Sequence, residues 1–214
     1  MTELHIPAGR ALLSGNLTIP DNSEALVVFA HGSGSSRHSP RNQFVARTLN
    51  RAGLGTLLFD LLTPEEEALD IDTREHRFNI SLLAERLVQA TKWTRKQKET
   101  RDLRIGYFGS STGGAAALVA AAELPQDAGA IVSRGGRPDL AGDALPKVHA
   151  PTLLIVGGND DIVIELNEIA RDQMRCEVKL EIIPGATHLF EEPGALEQVA
   201  RRASDWFSLH LIAK

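Results

Sequence analysis

Six short runs rich in Val, Ile, Leu and Phe, at 25–30, 54–60, 103–109, 128–133, 152–157 and 178–183, punctuate the chain. Between most of them lie longer amphipathic segments at 40–52, 79–98, 112–123 and 162–174, with a last one at 194–211. Apolar runs this short suit strands buried on both faces, and helical segments between them supply the crossovers that parallel strands need. The pattern therefore predicts an α/β fold, a doubly wound and mostly parallel sheet flanked by helices, with 10–19 as an N-terminal edge strand or hairpin. A length of 214 residues and ordinary globular composition fit one sizeable core, so 1–214 is read as a single domain.

In such sheets ligands bind beyond the carboxyl ends of the strands. The loop after the 103–109 run is Gly109-Ser110-Ser111-Thr112-Gly113, followed by the small-residue helix Gly114-Ala115-Ala116-Ala117. A G-x-S-x-G turn between strand and helix holds its serine in a strained backbone, lifts the hydroxyl above the sheet and sets it at a helix N-terminus. Ser111 is the candidate nucleophile, and the Thr112 N–H the candidate first oxyanion donor; Ser110 and Ser14 have no comparable setting.

Downstream, Pro151-Thr152-Leu153-Leu154-Ile155-Val156 runs into Gly157-Gly158-Asn159-Asp160-Asp161. A carboxylate at a strand end can orient an imidazole and stabilise the imidazolium that forms when a serine loses its proton. Spacing favours Asp160, with Asp161 or a helix-capping role as alternatives. Ile182-Ile183-Pro184-Gly185-Ala186-Thr187-His188 places His188 just after the last strand, as a general base requires. His5 and His210 lie near the termini, and His76 and His149 lack that context. The order Ser111, Asp160, His188 is one of the three known for serine triads.

After the 25–30 strand comes His31-Gly32-Ser33-Gly34-Ser35-Ser36, a turn able to supply a second oxyanion N–H, from Ser33 or alternatively Gly34. A phosphate-cradling loop is the rival reading, but the Gly-Lys-Ser/Thr ending is missing. Arg37, His38 and Arg41 follow this turn, and Arg134 and Arg137 follow the 128–133 strand. Of these, Arg37 and Arg134 are the candidates for binding an anionic substrate. The acidic stretch Glu65-Glu66-Glu67 reads as a solvated loop.

Together, Gly109-x-Ser111-x-Gly113, Asp160 and His188 resemble the α/β-hydrolase superfamily over nearly the whole chain. The His31-Gly32-Ser33-Gly34 loop, Ser133-Arg134-Gly135-Gly136-Arg137-Pro138-Asp139 and Gly185-Ala186-Thr187-His188-Leu189-Phe190 resemble its dienelactone-hydrolase-like members. Authentic dienelactone hydrolases carry a cysteine nucleophile, whereas this chain has Ser111 there and its single cysteine, Cys176, elsewhere. The 134–151 segment is too short for the large cap that many members insert at this point.

The expected activity is hydrolysis of small carboxylic esters, thioesters or lactones through an acyl-enzyme on Ser111. A catalytically idle scaffold that binds a ligand or protein, and an acyltransferase, are the alternatives. No metal or organic cofactor is expected, since no ligand cluster or cofactor fingerprint stands out. A net charge of −5 argues against nucleic acid as partner. No apolar run is long enough to span a bilayer, and the lone cysteine fits a reducing compartment, so the expected location is cytoplasmic. The sequence is silent on oligomeric state.

Overall fold

The computed structural model describes residues 2–212. In chain order the elements are β1 (Thr2–Ala8), β2 (Ala11–Thr18), β3 (Ala25–Ala30), α1 (Pro40–Arg51), β4 (Gly55–Phe59), α2 (Pro64–Thr73), α3 (Ile80–Thr94), β5 (Arg104–Ser110) and α4 (Thr112–Glu123). They continue with β6 (Ala128–Arg134), 3₁₀ turns at Pro138–Lys147, β7 (Thr152–Gly157), α5 (Asp161–Gln173), β8 (Val178–Ile183) and α6 (Ala195–Leu211). The eight strands form one sheet in the order β1-β2-β4-β3-β5-β6-β7-β8. Strands β3 to β8 pair in parallel, and the β1–β2 hairpin closes one edge in antiparallel register against β4.

Alternation along the buried strands sorts the core into two layers. Leu26, Val28, Leu57, Ile105, Tyr107 and Ile131 face the layer filled by α3 and α4. Val27, Phe29, Leu58, Phe108 and Val132 face the layer covered by α1 and α6. Both faces being covered is why these strands read as continuous apolar runs.

The six runs and five amphipathic segments correspond to β3 through β8 and to α1, α3, α4, α5 and α6, displaced by a few residues at their ends. Three elements differ from expectation. Strand β1 extends the edge from 10–19 back to Thr2. The 134–151 segment, expected only to be too short for a cap, carries 3₁₀ turns kinked at Gly142. The acidic stretch lies in a helix, α2, and not in a loop. The Thr63 hydroxyl accepts from the Glu66 N–H at 3.2 Å, and the Glu66 carboxylate accepts from the Thr63 N–H at 2.8 Å, a reciprocal cap that starts the helix at Pro64. Glu65 and Glu67 are exposed, while Glu66 also pairs with Arg86 at 2.7 Å.

From β3 the chain moves outward to β4 and then crosses back over β3 to β5, so the winding reverses between β3 and β5. A crevice opens beyond the carboxyl ends at such a reversal. The loops after β3 and β5 meet there.

Candidate active site

Ser111 joins β5 to α4 with φ 51° and ψ −123°, a conformation that costs a non-glycine residue on the order of 1–3 kcal/mol. The surrounding packing imposes it. A Cβ on Gly113 would lie 2.1 Å from the Ala30 carbonyl oxygen, and one on Gly109 would lie 2.5 Å from the Gly113 oxygen. Only glycine at both places lets α4 start this close to β3 and β5, which leaves Ser111 at the apex of the turn. Thr112 is the first residue of α4, so its N–H belongs to the helix turn that has no acceptor within the helix.

The end of β7 is laced to the loop after β8. Gly158 N–H donates to the Ile183 carbonyl at 2.8 Å, Asn159 N–H to that of Ala186 at 2.9 Å, and the Asn159 amide to that of Gly185 at 3.0 Å. A Cβ on Gly157 would strike the Ala186 and Thr187 carbonyl oxygens at 2.5 and 2.6 Å. This close approach brings Asp160 and His188 together, with His188 Nδ1 and Asp160 Oδ2 2.7 Å apart. Asp160 stands at the N-cap of α5 yet makes no side-chain capping bond, so its carboxylate is left to the imidazole. Asp161, the alternative, is exposed. Asp160 at Nδ1 leaves Nε2 as the nitrogen with which His188 can act on a substrate or a hydroxyl.

On the other side of Ser111 the Gly32–Ser35 turn closes with a 3.2 Å bond from the Ser35 N–H to the Gly32 carbonyl, Gly34 taking φ +65°. The Ser33 hydroxyl lies 3.0 Å from the Arg77 carbonyl, which can only accept, and 3.0 Å from the Thr112 hydroxyl. Ser33 therefore donates to Arg77 and accepts from Thr112, so one hydroxyl ties the two expected oxyanion residues together. Arg77 is held in turn by Asp70 of α2. The buried Asp70 carboxylate accepts from the His76 N–H at 2.7 Å, the Arg77 N–H at 3.0 Å and the Arg77 Nε at 2.6 Å. Burial alone would raise its pKa, but these hydrogen bonds outweigh it and hold the carboxyl below its ordinary range.

His31 at the end of β3 is buried. Its Nε2 accepts from the Leu61 N–H at 3.0 Å, so Nδ1 carries the proton toward the Gly32 carbonyl at 2.9 Å. Burial lowers its pKa and keeps it neutral. His31 is a fastener of the turn.

A cleft of about 220 Å³ brings Gly32, Ser33, Ser111, Arg134 and His188 together with Arg41. Arg37 does not line it: its guanidinium is paired with Asp60 and, at 3.1 Å, with Glu3, and its backbone N–H donates to Asp60 at 2.7 Å. The sequence puts Arg37 near the turn but gives no sign of Asp60, which faces it from the end of β4. Arg137 is occupied by a two-pronged pair with Asp139 at 2.9 and 2.7 Å. Cys176 is half-buried before β8, its thiol pushed up by burial, and outside the cleft.

Sequence reasoning missed Asp70 and Arg77, and the fastening role of His31, all of which depend on contacts far along the chain. The Thr63-Pro64-Glu65-Glu66 capping signature was the available sign that α2 existed. Among the described residues no helix is long and apolar enough to cross a membrane, and no group of three or more His, Cys, Asp or Glu could hold a metal ion.

Residues 23–205 match the family model described as an alpha/beta hydrolase domain. A solved structure described as dienelactone hydrolase from Anabaena variabilis is 58% identical, with a TM-score of 0.97 over 98% of this chain and 97% of that one. Est1E from Butyrivibrio proteoclasticus shares the fold at 20% identity and a TM-score of 0.82, covering 99% of each chain. A Mycobacterium tuberculosis protein named provisionally as a phosphoribosyl transferase is 57% identical over 98% of this chain. The match takes in only 46% of that relative, so the chain spans about half its length. The fold, the span of the family match and the likeness to the Anabaena structure establish that this chain belongs to the α/β-hydrolase family, among its dienelactone-hydrolase-like members.

Proposed function

We propose that the protein is a serine hydrolase of small carboxylic esters, thioesters or lactones. The observation that carries the reading is the 2.7 Å contact of Asp160 with His188, whose imidazole lines the cleft that also contains the strained Ser111. His188 takes the Ser111 proton as the serine oxygen bonds to the substrate carbonyl carbon, and Asp160 stabilises the imidazolium. The negative charge that develops on the carbonyl oxygen is met by the N–H groups of Thr112 and Ser33, aligned with the start of α4. Collapse expels the alcohol, thiol or ring oxygen, which takes the proton from His188, and leaves an ester on Ser111. Water, activated by His188, then releases the acid.

The membership in a hydrolase family supports the reaction class. The transferase name belongs to a relative of which this chain matches less than half.

Rapid mixing with a p-nitrophenyl ester tests the mechanism. The expected result is a burst of about one p-nitrophenol per protein, followed by turnover, with the trapped acyl group on the peptide bearing Ser111. Turnover without an acyl-Ser111 species would overturn it. A faster rate on adding a competing alcohol would assign the second step to acyl transfer, and a folded protein with neither burst nor turnover would leave an idle binding scaffold.

A further inference from the structure

Arg134 ends β6 and is only 7% exposed. Removing a guanidinium from water costs several kcal/mol, and proteins ordinarily offset that with a carboxylate. Each of Arg37, Arg77, Arg86, Arg95 and Arg137 has such a partner. For Arg134, no ion pair is found among the described residues. One guanidinium nitrogen lies 3.5 Å from the Asn42 amide oxygen, which the Ser110 hydroxyl already engages at 3.0 Å. Its Nε is buried without a partner. The Phe190 ring sits 5.9 Å from the guanidinium carbon and offers a face, not a counter-charge.

The charge acting on Arg134 from nearby is of the wrong sign: burial first, and then Arg41, lower its pKa to about 10, so it remains a cation at neutral pH. Arg41 lines the same cleft, reaches Glu191 at 3.0 Å and has its own Nε buried without a partner. Ser35 and Ser39 add hydroxyls to this wall, and Arg41 sits in the first turn of α1, where the helix dipole is positive.

We propose that Arg134 and Arg41 form an anion subsite inside the Ser111 cleft, and that the substrate bears a carboxylate or phosphate group beside the scissile carbonyl. The proposal rests on the hydrolase reading for what the anion is attached to, but not for the existence of the subsite. An oxyanion there supplies the missing counter-charge to Arg134 through charge-assisted hydrogen bonds. The cleft's small volume limits the substrate to a short acyl or leaving group carrying that charge.

The test separates binding from turnover. Calorimetric titration of the Ser111→Ala protein with inorganic phosphate and with succinate reads the subsite without chemistry. At least one anion is expected to bind saturably, and to bind at least 10-fold more weakly when Arg134→Gln is added. In the protein with Ser111 intact, kcat/KM for the p-nitrophenyl half-ester of succinate is compared with that for p-nitrophenyl butyrate. Arg134→Gln is expected to lower the anionic-to-neutral ratio about 10- to 100-fold, whereas Arg101→Gln, a distant exposed change of equal charge, keeps the ratio. Should Arg134→Gln fail to fold, Arg41→Gln carries the same comparison. Tighter phosphate than succinate binding assigns a phosphorylated substrate, and the reverse assigns a carboxylate. Absence of saturable binding by either anion, or binding equally tight with and without the arginine, overturns the subsite even if esters are cleaved. Binding without any turnover keeps the subsite and sinks the hydrolase reading.

Discussion

The two flanks of Ser111 are built on different principles. On the flank proposed for acid–base work, Asp160 and His188 come from consecutive loops at one end of the sheet, joined by bonds between neighbouring backbone segments. On the flank proposed to hold the oxyanion, the Gly32–Ser35 turn is held from a distance: His31 fastens it to Leu61, and the Ser33 hydroxyl links it to Thr112 and, through Arg77, to Asp70 of α2. The first flank joins two strand-end loops 28 residues apart and carries a half-exposed imidazole. The second is a partly buried relay whose members are up to 79 residues apart. The proposed triad can thus be read from short motifs, while the alignment of the N–H groups proposed as oxyanion donors is a tertiary property.

Breaking the local flank should cost activity and leave stability nearly intact. Asp160→Asn lets the imidazole adopt the wrong tautomer, and kcat for ester hydrolysis should fall about 10⁴-fold, the scale of the same change in another Ser-His-Asp triad. The thermal midpoint should move little, since the Asp160 side chain caps no helix. A kcat within 10-fold of wild type would remove Asp160 from the mechanism.

Breaking the relay should cost both. Asp70→Asn removes the buried carboxylate that three donors share, so stability should drop by roughly 2–3 kcal/mol in urea titration. As the turn loses its brace, kcat should fall on the order of 10- to 100-fold with KM held within a few-fold. Loss of stability with kcat intact would make α2 a structural element only. Ser33→Ala cuts the relay at its last link but keeps the Ser33 N–H, so a smaller fall in kcat, about 3- to 10-fold, is expected from steady-state kinetics.

The relay flank should also be the acid-sensitive one. Burial lowers the His31 pKa in the folded protein, so the unfolded chain binds the proton more readily. The corresponding stability is present above the ordinary value of 6.5 and is lost as pH falls below it. Between pH 7 and 5.5 the urea midpoint of wild type should therefore fall more steeply than that of His31→Asn. Equal slopes would show that His31 does not couple protonation to folding.

Much of this was legible in the sequence because it rested on local rules. Strands buried on both faces show as apolar runs, and the elbow shows as Gly109-x-Ser111-x-Gly113 because only glycine survives carbonyl contacts at 2.1–2.5 Å. Asp160 and His188 follow strand ends in chain order. What was missed is nonlocal. Nothing near Arg37 in sequence reveals that Asp60 and Glu3 pair with it, and nothing near Arg134 reveals that no carboxylate among the described residues does. Two arginines of equal standing in the sequence are thereby separated by burial and pairing. Helix α2 is an intermediate case, since its capping box was readable but its acidic surface resembles that of a solvated loop.

The account stands or falls on Ser111 as the nucleophile. Purified protein and its Ser111→Ala variant, both checked for folding by circular dichroism, would be incubated with a fluorophosphonate probe while intact mass and p-nitrophenyl ester hydrolysis are followed. The predicted result is one covalent adduct on the wild type, loss of hydrolysis in step with labelling, and neither adduct nor hydrolysis in the variant. A folded wild type that neither labels nor turns over, or a variant that labels as fast as wild type, would contradict the account.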